Sequence, residues 1–278
     1  MQLPQNPGPI GIFDSGYGGL TVLEAIRARL PQYDYIYLGD NARAPYGPRS
    51  FEVVYQFTRQ AVVKLFEMGC HLVILGCNTA SAKALRSIQQ RDLPGLDPSR
   101  RVLGVIRPTA EAVGAETRTR HVGVLATEGT IRSHSYDMEI GKLFPDIKVS
   151  GVACPLWAAI VEAGEAGTPG ADYFVGKRIG QLMQADPLID TIILGCTHYP
   201  LLMQNILKHV PKGVKVMPQG SYVSKSLDCY LKRHESMRQM ATTGGSLRLF
   251  TTESVESFRR CAKIFLPQEV NVSHIDLA

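Results

Sequence analysis

The sequence contains two similar stretches, LVILGCNT at residues 72–79 and TIILGCTH at residues 191–198. Each is a short run of aliphatic and β-branched residues that ends in Gly-Cys and two further residues, most of them polar. Strands that are apolar on both faces are typical of parallel sheets covered by helices. The repeat therefore predicts two buried parallel strands, one ending at Cys77 and the other at Cys196.

Similar apolar runs recur along the chain and alternate with segments of helical periodicity. They cover residues 9–13, 35–38, 71–75, 102–106, 121–125, 147–149, 191–194 and 214–216. This alternation predicts an α/β fold with mainly parallel sheets flanked by helices. Ligands bind beyond the carboxyl ends of the strands in such sheets. We therefore expect two pseudo-symmetric lobes whose two cysteines face each other across an active-site cleft.

Two breaks rich in Pro and Gly interrupt the pattern, at residues 91–98 and 211–213. Such stretches commonly separate structural units. Their positions predict a discontinuous first lobe made of residues 1–98 and 213–278, and a second lobe made of residues 99–212.

Composition narrows the functional class. The 278-residue chain carries a formal charge of +5, but its basic residues are scattered among acidic ones, so we expect no nucleic-acid partner. The N-terminus has no secretory signal pattern and no apolar run reaches membrane-spanning length, so we expect a cytoplasmic protein with no membrane partner. The cysteine spacing indicates reduced thiols and no metal site.

A lone cysteine at the end of a strand usually packs as a small hydrophobic residue. Two in matched contexts favour chemistry instead. Each follows a glycine and precedes residues that can start a helix, whose N-terminus lowers a thiol pKa, so we expect either to supply a thiolate near neutral pH. Two facing acid/base groups suit the inversion of an α-carbon. The other cysteines lack this context and are assigned to packing: Cys70, Cys154, Cys229 and Cys261.

Three further segments carry candidate polar groups. The Gly-rich turn after residues 10–13 would direct Asp14 and Ser15 into the cleft, although Asp14 could equally cap a helix. It does not match a dinucleotide loop, since Thr21 stands where GxGxxG requires glycine. Residues 38–48 form a turn-rich loop that could be an ordinary surface turn. His198 shares a loop with Cys196 and could orient or protonate a reacting group.

Four segments together resemble the signature segments of bacterial glutamate racemases, in the same order along the chain. They are FDSGYGGL at 13–20, LGDNARAPYG at 38–47, GCNTA at 76–80 and GCTHYP at 195–200. The resemblance implies a two-lobed fold and a racemase that uses neither cofactor nor metal. It also implies a role in supplying D-glutamate for peptidoglycan, and so in cell-wall biogenesis and cell shape. We expect a homodimer.

The resemblance also implies roles for individual residues. Cys77 would act on the α-proton of D-glutamate and Cys196 on that of L-glutamate, with Asp14 and His198 as flanking acid/base groups. Other residues would bind the substrate. The α-amino and α-carboxylate groups would be held by Ser15, Asn78, Thr79 and Thr197, and the distal carboxylate by Tyr46 and Gly47.

Glu162 falls where relatives carry an acidic residue near the cleft, although it could instead cap a helix. Two segments depart from the family pattern: Arg107 stands where many members have Glu, and residues 217–220 replace a segment that usually bears Asp. Both lie outside the four signature segments. They raise questions about subunit interfaces and activators, and not about the racemase assignment.

Alternative functions remain open. An aspartate racemase differs by one methylene in its substrate, which is worth only about 1–3 kcal/mol of discrimination. A catalytically idle relative could bind a protein partner, as some family members are thought to bind DNA gyrase, but it would be expected to lose a thiol. A thiol hydrolase or peroxidase would need only one of the two cysteines.

Overall fold

The computed structural model describes residues 6–266 and 271–277. Within these residues all strand pairings between named strands are parallel. The strands are β1 (Ile10–Asp14), β2 (Tyr35–Gly39), β3 (Leu72–Leu75), β4 (Arg101–Gly104), β5 (His121–Ala126), β6 (Lys148–Ala153), β7 (Thr191–Gly195), β8 (Lys215–Met217), β9 (Leu247–Thr251) and β10 (Val272–His274).

Helices connect the strands and cover the sheets. They are α1 (Leu20–Arg29), α2 (Phe51–Glu67), α3 (Asn78–Lys83), α4 (Leu85–Ser87), α5 (Leu93–Leu96), α6 (Ile106–Glu116), α7 (Glu128–Arg132), α8 (Ser135–Leu143), α9 (Trp157–Glu162), α10 (Pro169–Ala185), α11 (Met203–His209), α12 (Gln219–Arg233), α13 (Glu235–Gln239) and α14 (Val255–Ala262). Short 3₁₀ turns occupy Asn41–Arg43 and Tyr199–Leu202, and Ile88–Asp92 is a π-helical turn.

The strands form two sheets of related topology. The larger has the order β10-β9-β2-β1-β3-β4, and the smaller has the order β6-β5-β7-β8. The run β2-β1-β3-β4 therefore corresponds strand by strand to β6-β5-β7-β8, so that β3 is the equivalent of β7. Cys77 follows β3 and Cys196 follows β7, so the two cysteines occupy equivalent positions. The predicted α/β class with two related lobes is confirmed.

Burial explains why the central strands were recognisable. Every residue of β1, β2, β3 and β7 is buried, as expected for parallel strands with helices on both faces. The long helix α12 packs against α1 on one side and α6 on the other. It therefore joins the parts of the molecule that carry the two sheets.

The predicted lobe boundaries misplace two strands. β4 was assigned to residues 99–212 but pairs with β3 in the larger sheet, with Val73 opposite Val102. β8 was assigned to residues 213–278 but pairs with β7 in the smaller sheet. The break at 91–98 is partly helical. Both breaks are therefore connections within a lobe, and the chain changes sheets after β4 and after β8.

The sequence pattern also missed β9 and β10. In β9, only Leu249 and Thr251 are buried, and exposed Arg248 interrupts the apolar run. β10 has three residues and lies at the sheet edge. Strands this short or this polar give little periodic signal.

Within residues 6–266 and 271–277, no helix is both long and apolar enough to cross a membrane. No cluster of three or more His, Cys, Asp or Glu side chains in that part of the chain could hold a metal ion. All six cysteines are free thiols.

Candidate active site

The first half of the site is built at the carboxyl end of β3. Cys77 is the N-cap of α3, and its sulfur accepts a hydrogen bond from the Ala80 N–H at 3.5 Å. The Ser15 hydroxyl, which follows β1, lies 3.4 Å from the same sulfur. Cys77 is only 7% exposed. The thiol is therefore held in a fixed position between two neighbouring strand ends.

The expectation of a Cys77 thiolate near neutral pH is wrong for this arrangement. Burial raises the pKa of the Cys77 thiol to about 12, and the nearby negative charge of Asp14 adds to the rise. The hydrogen bonds from Ser15 and the Ala80 N–H oppose it but are outweighed. A six-residue helix offers too little compensation for complete desolvation of an anion. Cys77 is therefore a thiol, a proton donor, at neutral pH.

Asp14 lies at the end of β1 and is 1% exposed. Its Oδ1 accepts a hydrogen bond from the Gly16 N–H at 2.8 Å, while its buried Oδ2 has no partner among the described residues. Burial raises the pKa of this carboxyl, and the charge of His198 partly offsets the rise. The N-cap of α1 is Gly19 and not Asp14. The helix-cap alternative for Asp14 is therefore excluded.

The second half of the site is built at the carboxyl end of β7. The Sγ atom of Cys196 lies 3.7 Å from Nδ1 of His198, and Nε2 of the same ring lies 2.8 Å from Oε1 of Glu162. Glu162 is the last residue of α9. It therefore does not cap the start of that helix. The three side chains form a chain of contacts that runs from a buried sulfur to a partly exposed carboxylate.

His198 is positively charged at neutral pH in this chain of contacts. Burial alone would lower the pKa of the imidazole, but its hydrogen bonds to Cys196 and Glu162, with the charges of both, raise it from 6.5 to about 10. The imidazolium places a positive charge 3.7 Å from the Cys196 sulfur. The two cysteines therefore differ: Cys77 has a carboxyl neighbour and Cys196 has a cationic one.

The two halves meet at Gly18. The hydroxyl of Thr21, the second residue of α1 in the first lobe, donates a hydrogen bond to the carbonyl of Thr197 at 3.0 Å. A Cβ atom at Gly18 would lie 2.3 Å from Oγ1 of Thr197 and 2.4 Å from Nδ1 of His198. Only glycine allows this approach. The Gly-rich turn therefore serves close contact between lobes.

The loop that contains Tyr46 and Gly47 reaches across to the second lobe. The Tyr46 hydroxyl donates a hydrogen bond to the buried carboxylate of Asp40, which also accepts from Arg43 at 2.7 Å. This hydroxyl is therefore committed within the protein. A Cβ at Gly47 would lie 3.3 Å from that of Thr127.

The remaining predicted binding residues gather around α3. Thr79 lies 2.9 Å, oxygen to oxygen, from Thr127, which follows β5. Asn78 is buried and accepts a hydrogen bond from the Tyr136 hydroxyl at 2.8 Å. The structure thus brings all eleven predicted residues to the facing carboxyl ends of the two sheets. Sequence reasoning missed Thr127, whose position after a predicted strand was the available signal.

The two segments that depart from the family pattern differ in whether they contact the predicted site residues. Arg107 pairs with Glu111 at 2.8 Å and Glu139 at 3.2 Å, and lines a cavity of about 510 Å³ that none of the eleven residues line. Gln219, in the second departure, accepts a hydrogen bond from Asn78 at 2.5 Å. That departure therefore contacts a signature segment directly.

Known proteins resemble this chain over nearly its full length. Residues 20–218 match the family model described as Asp/Glu/Hydantoin racemase. A glutamate racemase from Roseobacter denitrificans is 38% identical over 95% of this chain and 98% of its own, and one from Streptococcus thermophilus is 35% identical over 97% and 96%.

Solved structures agree with the sequence comparisons. A glutamate racemase from Bacillus anthracis superposes with a TM-score of 0.89 at 36% identity, covering 97% of this chain and 98% of its own. One from Francisella tularensis, in complex with D-glutamate, superposes with a TM-score of 0.86 at 31% identity, covering 99% of each chain. The chain therefore belongs to the Asp/Glu/Hydantoin racemase family.

Proposed function

We propose that the chain is a glutamate racemase that interconverts L- and D-glutamate by a two-base mechanism without a cofactor. The observation that carries the proposal is the meeting of two strand-end cysteines from equivalent positions of two lobes. One is a buried thiol and the other lies 3.7 Å from a protonated histidine. A thiol and a thiolate on opposite faces of a carbon atom are what inversion requires.

From L-glutamate, the Cys196 thiolate takes the α-proton, so that a C–H bond breaks and an S–H bond forms. The electron pair remains on the α-carbon and is delocalised into the α-carboxylate. The Cys77 thiol then gives its proton to the opposite face, and its sulfur keeps the S–H electron pair. The same steps run in reverse from D-glutamate, starting from the form that the forward reaction leaves, in which Cys77 is the thiolate and Cys196 carries the proton. Exchange of these protons with solvent returns the enzyme to its starting form. Before substrate binds, the positive charge of the His198 imidazolium stabilises the Cys196 thiolate.

The substrate would be held by the polar groups around the thiols. Asp14 and Ser15 flank Cys77, and Asn78, Thr79 and Thr197 supply hydrogen-bonding groups for the α-amino and α-carboxylate ends. The loop of Tyr46 and Gly47 would take the distal carboxylate. Supply of D-glutamate for peptidoglycan, a homodimeric assembly and a cytoplasmic location remain predictions.

The proposal is tested by following the circular dichroism of L-glutamate after addition of the purified protein. We expect decay of the signal to zero, at a rate unchanged by dialysis against EDTA or by a carbonyl-trapping reagent. L-Aspartate in a parallel cell tests the alternative function, aspartate racemisation. Restoration of lost activity by zinc or pyridoxal phosphate would overturn the cofactor-independent mechanism, and faster decay with aspartate would overturn the substrate.

A further inference from the structure

Asn78, the residue that follows Cys77, takes part in a closed ring of three side-chain hydrogen bonds. The Tyr136 hydroxyl donates to Oδ1 of Asn78 at 2.8 Å, Nδ2 of Asn78 donates to Oε1 of Gln219 at 2.5 Å, and Nε2 of Gln219 donates to the Tyr136 oxygen at 2.7 Å. All three side chains are at most 3% exposed. Each donor in the ring points to the next acceptor, so the three bonds reinforce one another.

The backbone determines which atom donates and which accepts in each hydrogen bond of the ring. Nε2 of Gln219 also lies 3.3 Å from the Val105 carbonyl and 3.1 Å from Oγ1 of Thr109. The Val105 carbonyl can only accept, so the amide nitrogen of Gln219 must face it. Oε1 of Gln219 then faces Asn78 and requires a donor there. This forces Asn78 to present its amide nitrogen to Gln219 and its oxygen to Tyr136.

One N–H of the Asn78 amide is left over. An amide nitrogen carries two hydrogens, and Gln219 accepts one of them. The other has no acceptor among the described residues. It belongs to a buried side chain adjacent to Cys77, and a buried donor without a partner is costly. A carboxylate of the substrate would supply the acceptor.

The ring also spans the two lobes. Asn78 follows β3 of the larger sheet, whereas Tyr136 lies on α8 and Gln219 follows β8 of the smaller sheet. The three groups are in contact only when the lobes are together. Asn78 is therefore oriented in the same arrangement that brings the two cysteines to one cleft.

We propose that Gln219 and Tyr136 are positioning residues that turn the Asn78 amide so that its second N–H donates to the α-carboxylate of the substrate. This inference rests on the proposed function. Neither residue needs to touch the substrate, since each acts through Asn78. The departure at residues 217–220 thus sets the orientation of a binding group.

The test is a double-mutant cycle on glutamate racemisation. Gln219→Met keeps the side-chain length but removes the hydrogen bonds, and Tyr136→Phe removes only the hydroxyl. Each is made in the wild-type and the Asn78→Ala background, with α-hydrogen exchange in D₂O as the more sensitive readout for slow variants. Tyr222→Phe is the matched control, because its hydroxyl on α12 contacts Glu116 and lies outside the ring.

Each single variant should lower kcat/KM about tenfold, the loss of roughly one hydrogen bond, mainly through KM. In the Asn78→Ala background the same substitutions should change kcat/KM less than twofold, because the group through which they act is gone. Tyr222→Phe should match the wild type. Should Gln219→Met fail to fold, Tyr136→Phe carries the same comparison.

Several outcomes contradict the proposal. Single variants with wild-type KM would show that the ring serves stability alone. Effects that are fully additive with Asn78→Ala would show that Gln219 and Tyr136 do not act through Asn78. These results leave the racemase function intact, since the wild-type protein is active in the same assay. A wild-type protein that neither racemises glutamate nor exchanges its α-hydrogen would overturn both the function and this inference.

Discussion

The two cysteines sit in matched backbone contexts yet have opposite electrostatic surroundings. Burial and Asp14 keep Cys77 protonated by raising the pKa of its thiol to about 12. Cys196 lies next to an imidazole whose pKa is raised to about 10 by Cys196 and Glu162. A protonated thiol at Cys77 and a cationic neighbour beside Cys196 are therefore present together in a single state of the protein.

The ionisation of His198 predicts the alkaline limit of activity. Because its pKa lies near 10, above the ordinary 6.5, the imidazolium persists through neutral pH and is lost as the pH rises through 10. Glu162→Gln removes a carboxylate that favours the charged ring. The pKa of His198 should then fall by about one unit, and the alkaline limb of log kcat/KM should move to lower pH by that amount.

The measurement is kcat/KM for L-glutamate between pH 7 and 10.5, with Glu165→Gln as control. Glu165 is an exposed residue just after α9, so its profile should follow the wild type. If the alkaline decline of kcat/KM occurs at the same pH in Glu162→Gln as in the wild type, a group other than His198 causes that decline.

At the scale of elements, the site lies where parallel strands end, and this could be predicted. The uninterrupted apolar runs of β1, β2, β3 and β7 identified those strands, and the polar residues after them follow from the geometry of parallel sheets. β9 could not be recognised, because exposed Arg248 lies within it. The contacts of Gln219 and Thr127 with the signature residues arise from chain crossings that periodicity does not encode.

The expected thiolate at Cys77 was wrong for a related reason. Its helix N-terminus is visible in the sequence, but its burial beside Asp14 depends on tertiary packing. Likewise, the sequence offered a cap or a cleft residue for Glu162, and only the fold brings its carboxylate to 2.8 Å from His198. Local signals identified the chemical groups, whereas their ionisation followed from neighbours distant in sequence.

The close approach of the two lobes at Gly18, in the turn between β1 and α1, leads to a testable prediction. Gly18→Ala would place a Cβ 2.3 Å from Oγ1 of Thr197 and 2.4 Å from Nδ1 of His198, so these side chains, or the lobe that carries them, must shift. A displacement of about 1 Å at reacting groups can cost about a hundredfold in rate. We therefore expect kcat/KM to fall about a hundredfold, with the thermal unfolding midpoint lowered.

Gly180→Ala is the matched control for this variant. Gly180 lies within α10, and a Cβ there would meet nothing within 4 Å. Alanine in a helix interior is favoured over glycine by roughly 0.5–1 kcal/mol, so the control should be slightly more stable and fully active. Wild-type kcat/KM in Gly18→Ala would show that catalysis does not use this close approach of the lobes.

At the scale of the whole molecule, the related topologies of the two sheets place one cysteine on each side of the cleft. The two directions of racemisation are not independent, however. Enantiomers have equal free energy in solution, so the equilibrium constant is unity and kcat/KM must be the same in both directions. This holds for the wild type and for every variant. Racemisation rates alone therefore cannot assign a face to each cysteine.

Exchange of the α-hydrogen with solvent can make the assignment, because it requires only one base. A base that removes the proton can return deuterium to the same face without inversion. In Cys77→Ser the Cys196 base remains, so L-glutamate should still exchange in D₂O while exchange of D-glutamate falls steeply. Cys196→Ser should give the opposite pattern. Both variants should lose racemisation by several orders of magnitude, because a serine hydroxyl is a poor base at neutral pH.

Proton NMR of each enantiomer in D₂O measures this directly, with Cys229→Ser as control because Cys229 is an exposed thiol outside the site. The control should exchange both enantiomers as the wild type does. Equal exchange of L- and D-glutamate in Cys77→Ser would show that one base reaches both faces. Wild-type racemisation in that variant would return Cys77 to a packing role. Opposite selectivity in the two variants would instead mean that each lobe contributes one base, as the equivalent positions after β3 and β7 require.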